Sequence, residues 1–236
     1  MKNYVMINGA WRGGWAWRPV AEALRARGHS VHTPTMTGLA DMDRRGSVSL
    51  ADAVDDIVRY VELRDLHDVV LVGHSWGGYP MTGAANRLTY RVKEIVYWSA
   101  FVPAEGRSLM DEVPPRYQEL FGELSGSTYD KSVALPLPVF QQAFMQDADE
   151  PMQKLVHSML VPQPIRYFTD TIAPLDTSKT AARVRYVKSK DDVALPAGDQ
   201  GWDRFAKRLG VPIEEAPGSH EALFTQPVGL AQAIDA

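Results

Sequence analysis

The sequence predicts an α/β protein whose mainly parallel sheet carries helices on both faces. Short apolar segments alternate with amphipathic helical segments through most of the chain, which is typical of this class. In addition, the apolar run at residues 69–72 leads directly into a Gly-X-Ser-X-Gly turn at residues 73–77. With 236 residues, the chain is long enough for one large domain or for a domain with a small insertion.

The first elements follow one another at short intervals. An apolar segment predicts a strand at residues 4–7, and the helix predicted at 17–27 stops at Gly28, a residue suited to a helix C-terminus. A second strand is predicted at 30–33. At 51–64, apolar residues recur at helical spacing while the charged residues face outward, which predicts an amphipathic helix.

The remaining core elements begin at the serine turn. The strand at 69–72 precedes that turn and a helix at 79–88 follows it. Three further strands are predicted at residues 94–98, 184–188 and 213–215, where they continue the alternation of strands and helices. A terminal helix is predicted at 228–236, so the sheet is expected to contain six strands.

Residues 101–182 interrupt this alternation after a strand. The segment is rich in proline and contains short helical pieces at 139–146 and 151–159. We expect it to form a helical cap inserted into a core made of residues 1–100 and 183–236. The alternative is a pair of ordinary crossover helices joined by long loops.

Composition excludes several classes of function. The net charge is −4 without a basic tract, so neither nucleic acid nor an anionic membrane is expected as a partner. The chain has no cysteine, which excludes a disulfide framework, a thiolate metal site and a cysteine nucleophile. No segment resembles a signal peptide or a membrane span, so we expect a cytoplasmic protein. The sequence leaves open whether the chain forms a homodimer.

Ser75 is the leading candidate for a nucleophile. It occupies the centre of the Gly-X-Ser-X-Gly turn, between a predicted strand and a predicted helix. Such a turn is tight, so the residues two positions before and after the serine must be small, as Gly73 and Gly77 are, and the serine hydroxyl is presented at the end of the sheet. The pattern alone also occurs in flexible loops, but the strand and helix around it favour the catalytic interpretation.

A serine nucleophile needs a base, and the base needs an acid that orients it. Of the six histidines, His220 lies in a loop directly after the last predicted strand, at the sheet edge expected to carry Ser75. A solvated surface role is the alternative. The acid is expected after the strand at 184–188, where Asp191 and Asp192 are both available and only one can reach His220.

Catalysis of this kind also needs backbone N–H groups that stabilise an oxyanion. One donor is expected to be the N–H of Trp76, directly after the nucleophile, and the other to lie in the glycine-rich loop at residues 8–15. The glycines of that loop do not match a nucleotide-binding pattern.

Several large apolar side chains predict a pocket for a small apolar or aromatic group. They are Trp11, Trp15, Trp98, Phe144 and Met145. The alternative for each of them is a position in the core.

These motifs together resemble the α/β-hydrolase superfamily, in the small branch that holds plant methyl esterases, hydroxynitrile lyases and many bacterial esterases. The resemblance covers almost the whole chain, including residues 8–11, 33–39, 73–78, 162–164, 192–196 and 218–220. It implies an α/β-hydrolase fold with Ser75 as nucleophile, His220 as base and Asp192, rather than Asp191, as acid. It also implies that the backbone N–H groups of Ala10 and Trp76 form the oxyanion hole.

Two positions depart from the family pattern. Asn8 stands where the family usually has histidine, ahead of the loop glycine. Glu221 stands where the hydroxynitrile lyases carry a lysine that holds the departing cyanide. We expect a carboxylate at this place to oppose cyanide release.

The sequence therefore predicts a serine hydrolase that acts on a carboxylic ester, a lactone or a thioester through an acyl-serine intermediate. The expected partner is a small-molecule substrate, and neither a metal nor an organic cofactor is expected. Two alternatives use the same fold: a cofactor-free lyase or oxygenase, and a ligand receptor that has lost catalysis.

Overall fold

A computed structural model describes all residues, 1–236, and contains a parallel sheet of six strands. The strands are β1 (Asn3–Ile7), β2 (Ser30–His32), β3 (Val69–His74), β4 (Val92–Trp98), β5 (Ser132–Val133), β6 (Gln163–Pro164), β7 (Arg183–Ser189) and β8 (Ile213–Ala216). The large sheet has the order β2-β1-β3-β4-β7-β8, while β5 and β6 form a separate antiparallel pair. The predicted six-stranded α/β fold is confirmed.

Helices occupy both faces of the sheet and the segment between β4 and β7. They are α1 (Arg18–Ala26), α2 (Leu50–Leu63), α3 (Gly78–Arg87), α4 (Pro115–Gly126), α5 (Leu137–Val139), α6 (Glu150–Ser158), α7 (Arg166–Thr169), α8 (Asp203–Leu209), α9 (Ala222–Thr225) and α10 (Pro227–Asp235). Short 3-10 turns precede α1 and α3, at Gly14–Trp17 and Ser75–Gly77. The sequence pattern does not predict α8, because seven residues are too few to establish a helical period.

The central strand β3 is buried on both faces, which is why its sequence is a continuous apolar run rather than an alternating one. Leu71 belongs to the larger core cluster, shared with α2, α3 and the segment between β4 and β7. Val70 and Val72 point to the opposite face and pack in a second cluster with α1 and α10. The sheet is therefore held rigidly at its centre, where the serine turn begins.

The segment between β4 and β7 lies above the edge of the sheet at which the parallel strands end. It contains α4 to α7 and the β5–β6 pair, and its aromatic side chains join the larger core cluster. The division into a core of 1–100 and 183–236 with a cap at 101–182 stays a prediction. None of the helices is both long enough and apolar enough to cross a membrane.

Candidate active site

Ser75 follows the last residue of β3 and adopts a left-handed backbone conformation, with φ at +53°. Such a conformation is strained for a residue other than glycine and is common at functional sites. The turn also needs a glycine at position 77, because a Cβ there would come within 2.5 Å of the Asn8 carbonyl oxygen. These two features bring the serine turn against the loop that follows β1.

His220 lies in the loop between β8 and α9, and its ring is paired with Asp192. Nδ1 of His220 is 2.7 Å from Oδ2 of Asp192, and the two side chains are 1% and 0% exposed. The other carboxylate oxygen of Asp192 accepts the backbone N–H of Ala194 at 2.9 Å. Asp191 is exposed and instead donates its backbone N–H to the carbonyl of Gly218. Of the two candidate acids, Asp192 is therefore the one that contacts the histidine.

Ser75 and His220 line the same cavity, although no hydrogen bond joins the serine hydroxyl to the imidazole in this structure. In enzymes without substrate, such hydrogen bonds are often long and tighten only in the complex. The geometry therefore brings together the three residues predicted to form a triad.

Three aromatic rings hold the imidazole of His220 in place. Trp202 stacks on it with the ring centroids 5.4 Å apart, Phe144 meets it edge-on at 5.2 Å, and the ring of His74 lies 4.6 Å away. No sequence motif singles out Trp202. Its only local signal was its position ten residues after Asp192, within the part of the chain that follows β7.

His74 is a buried neutral neighbour of His220. Its ring stacks on Trp98 at 4.1 Å, and neither of its nitrogens has a hydrogen-bond partner. Burial is the main cause that holds the pKa of His74 well below its ordinary value, and the neighbouring His220 and Arg12 lower it further. His74 is therefore uncharged at neutral pH and places no positive charge beside His220.

The loop after β1 lies directly against the serine. A Cβ on Gly9 would come within 3.3 Å of Cβ of Ser75, so the backbone approaches the nucleophile closely at this point. The next N–H, that of Ala10, makes no hydrogen bond within the protein. The N–H of Trp11 is occupied, since it donates to Oε1 of the buried Gln163 at 2.8 Å. Ala10 thus has a free donor beside Ser75, as an oxyanion hole requires.

Trp76, the second predicted donor, is held by the segment between β4 and β7. Its indole N–H donates to the carbonyl of Tyr167 at 2.9 Å, and its ring stacks on the Tyr167 ring at 4.5 Å. These contacts fix the backbone directly after the nucleophile.

The cavity is almost entirely apolar. The space between its lining atoms, including its opening to solvent, is about 390 Å³. Apart from Ser75 and His220, every lining residue is aliphatic or aromatic, and several were not foreseen from the sequence: Phe101, Tyr117, Phe121, Phe168 and Trp202. No lysine, arginine or carboxylate side chain lines it. The cavity suits a neutral apolar group and offers nothing to compensate a charge.

The predicted pocket residues divide into two groups. Trp11 and Phe144 line the cavity, whereas Trp15, Trp98 and Met145 do not. Trp98 ends β4 on the opposite face of the sheet, where its indole N–H donates to the hydroxyl of Ser189 at 2.9 Å. Trp15 packs against Phe224 outside the cavity. Met145 is fully buried in the larger core cluster. For Trp98 and Met145 the predicted pocket position is corrected to packing in the core, whereas Trp15 lines a separate cavity with Met159 and Leu160.

The expectation for Glu221 also needs correction. Its carboxylate does not face the cavity but forms an ion pair with Arg12, and the two side chains are 0% and 1% exposed. A neutralised carboxylate outside the cavity cannot oppose cyanide in the way expected. What remains of the argument is that no cation lines the cavity to hold such an anion.

A metal site is not apparent among the acidic and histidine side chains. No group of three or more of them is arranged to hold an ion. His29 and His32 are close enough in sequence to be considered as a pair of metal ligands. However, Nε2 of His29 lies 3.0 Å from Oδ2 of Asp235 and is bonded to it.

Known proteins resemble this chain over nearly its whole length. The sequence profile of the alpha/beta hydrolase family matches residues 4–233. A carbendazim hydrolyzing esterase of Nocardioides sp. (strain SG-4G) is 33% identical over 252 residues, which cover 100% of this chain and 99% of that protein. An alpha-hydroxynitrile lyase of Arabidopsis thaliana is 24% identical, covering 99% of this chain and 96% of that protein.

Solved structures with a similar fold include one that covers nearly the whole chain. It is an extracellular alpha/beta-hydrolase from a Paenibacillus species, described as sharing structural and functional homology with tobacco salicylic acid binding protein 2. The TM-score is 0.92 at 26% sequence identity, and the match covers 99% of this chain and 98% of the other.

Proposed function

We propose that this chain, which belongs to the alpha/beta hydrolase family, is a serine esterase that cleaves small apolar or aromatic esters through an acyl-enzyme on Ser75. Ester hydrolysis in general follows from the comparisons, because relatives that align over nearly the whole chain are esterases. The identity of the nucleophile, the base, the acid and the substrate is our proposal.

The observation that carries the proposal is the buried Asp192–His220 pair at the wall of the cavity that Ser75 also lines. An aspartate at Nδ1 fixes the imidazole so that Nε2 is free to accept a proton. The apolar wall around it excludes water, which strengthens every electrostatic interaction inside.

The reaction follows from these positions. His220 takes the proton of the Ser75 hydroxyl as its oxygen attacks the ester carbonyl, and the carbonyl oxygen becomes an oxyanion held by the N–H groups of Ala10 and Trp76. When the tetrahedral intermediate collapses, the bond to the alcohol breaks and His220 returns its proton to the leaving alkoxide. Water then enters, loses its proton to His220 and releases the acid from Ser75 by the same steps.

The cavity supports a neutral substrate. Its aromatic lining can stack on a ring or enclose a short alkyl chain, and it holds no charged side chain to pair with an ionised substituent. A lactone or a thioester would meet the same machinery, because the attacked carbonyl and the developing oxyanion are alike in all three.

A lyase that uses the same residues without covalent attack is the competing function. The similarity to an alpha-hydroxynitrile lyase makes it worth testing. Against it stands the absence of a cation in the cavity, since cyanide leaves as an anion and needs a positive group to stabilise it.

A substrate panel separates the two functions. The purified chain should be assayed with p-nitrophenyl esters of increasing acyl length, with aryl methyl esters and with mandelonitrile. We expect ester hydrolysis that falls off for long acyl chains, and no cyanide release above the uncatalysed rate. Cyanide release that equals or exceeds ester turnover would overturn the proposal in favour of the lyase.

A further inference from the structure

We propose that Arg12 and Glu221 act as a positioning pair. The pair keeps the oxyanion loop, which follows β1, at a fixed position relative to the loop that carries His220. This inference rests on the proposed esterase function. Neither residue lines the cavity, so neither is expected to touch the substrate.

The pair joins the two loops at their functional residues. Glu221 directly follows His220, and Arg12 lies two residues after Ala10. Nη1 of Arg12 donates to Oε2 of Glu221, and the two side chains are 1% and 0% exposed. A fully buried ion pair is a demanding arrangement, because both charges have left water. Its place between these two loops therefore needs a reason beyond general stability.

The guanidinium also acts on the backbone of the oxyanion loop. Nε of Arg12 donates to the carbonyl oxygen of Ala10 at 3.0 Å, which fixes the peptide plane that follows Ala10. The preceding plane is fixed by Asn8, whose Nδ2 donates to the carbonyl oxygen of Gly9 at 3.0 Å and also to the carbonyl of Arg12. That preceding plane carries the N–H of Ala10. Asn8 and Arg12 together thus determine the direction of the proposed oxyanion donor.

The histidine loop is fixed at the other end of the pair. The backbone N–H of Glu221 donates to the carbonyl of Phe144 at 3.2 Å and to the hydroxyl of Ser219 at 3.1 Å. The second carboxylate oxygen of Glu221 has no partner, so the bond to Arg12 is what holds this side chain. A shift of either loop would therefore be transmitted to the other through the ion pair.

The test is a double substitution that removes both charges, Arg12→Met with Glu221→Leu. Removing one partner alone leaves a buried uncompensated charge and can prevent folding, whereas an apolar pair of similar volume is often tolerated. The control is Arg185→Met with Glu94→Leu, since these side chains, 2% and 9% exposed, belong to a buried charge network in the sheet, away from the cavity, that also includes Glu214. Circular dichroism and thermal melting establish that each variant folds.

We expect the double variant at Arg12 and Glu221 to lower kcat between about 10-fold and 100-fold, as small displacements of catalytic groups do, while KM changes little. The control variant should keep the native kcat whatever its melting temperature. An unchanged kcat in a folded double variant would overturn the inference. If that double variant does not fold, Arg12→Leu with Glu221→Met, a second apolar pair that likewise leaves no buried charge, is held to the same criterion.

A second readout keeps this test separate from the proposed function. The low-field proton NMR signal of the Nδ1–H of His220 reports its bond to Asp192 without any turnover. We expect it to be sharp in the native chain and in the control, and to broaden or shift in the double variant. A native chain that hydrolyses no ester contradicts the proposed function, whereas an unaltered signal and an unaltered kcat in the double variant contradict the positioning role.

Discussion

The carboxylate of Asp192 lies 2.7 Å from Nδ1 of His220, whereas its neighbour Asp191 is exposed and engages the histidine loop only through its main chain. Two identical side chains, one residue apart, therefore have different surroundings. The difference gives a matched pair of substitutions in which the charge removed is the same and only its position differs.

Asp192→Asn should lower kcat by about 10⁴-fold, because an asparagine amide favours the wrong tautomer of His220. Asp191→Asn should leave kcat within about threefold of native, as expected for an exposed side chain away from the reacting groups. Steady-state hydrolysis of a p-nitrophenyl ester by both variants measures the difference. Equal losses, or a larger loss at Asp191, would show that Asp192 is not the acid.

His74 gives a prediction about stability and pH. Because burial keeps the pKa of His74 well below 6.5 in the folded chain, the unfolded chain binds a proton near pH 6.5 that the native state does not. The neutral ring thus contributes stability that is present above about pH 6.5 and is lost as the pH falls below it, by up to about 1.4 kcal/mol per pH unit.

His74→Phe removes this titration while it keeps an aromatic ring against Trp98. The free energy of unfolding, measured in urea, should decrease in both proteins when the pH is lowered from about 7.5 to about 5.5. We expect the decrease to be about 1.4 kcal/mol smaller in the variant than in the native chain. The control is Val72→Ala, since it removes buried contacts from the same strand but no titrating group, and should leave the pH dependence as it is. The same pH dependence in the native chain and in His74→Phe would contradict the prediction.

The apolar cavity predicts discrimination against charge. Methyl benzoate with a para carboxylate should have kcat/KM lower by about 10²-fold or more than the same ester with a neutral para amide, because no lining side chain can pair with an ionised group. The two substituents are similar in shape, so the comparison isolates the charge. Equal kcat/KM values would mean that the ring does not enter this cavity.

The fold was predictable because its signals are local. Apolar β-branched runs such as 69–72 define strands by themselves, and a strand followed by Gly-X-Ser-X-Gly defines the turn that holds Ser75. The order of Ser75, Asp192 and His220 along the chain, each after a strand, then indicated that they meet at one edge of a parallel sheet.

The cavity wall was not predictable in the same way. It depends on how residues 99–182 fold across the sheet edge, and no local sequence pattern indicates which aromatic residues of this segment face inward. Trp98 and Phe144 look alike as large aromatic side chains, yet Trp98 lies on the far face of the sheet and Phe144 lines the cavity. The pair of Arg12 and Glu221 was missed because 209 positions separate the two residues and no local pattern connects them.

The central claim is that Ser75 forms a covalent acyl intermediate, and mass spectrometry of the trapped enzyme tests it most directly. The native chain and Ser75→Ala should be mixed with an ester whose acyl-enzyme hydrolyses slowly, quenched in acid and digested to locate the added mass. We predict one acyl group on the peptide that contains Ser75 in the native chain, and none in a folded Ser75→Ala variant whose kcat is lower by about 10⁴-fold or more. Acylation at another residue, or turnover retained by Ser75→Ala at native thermal stability, would contradict the assignment of Ser75 as the nucleophile.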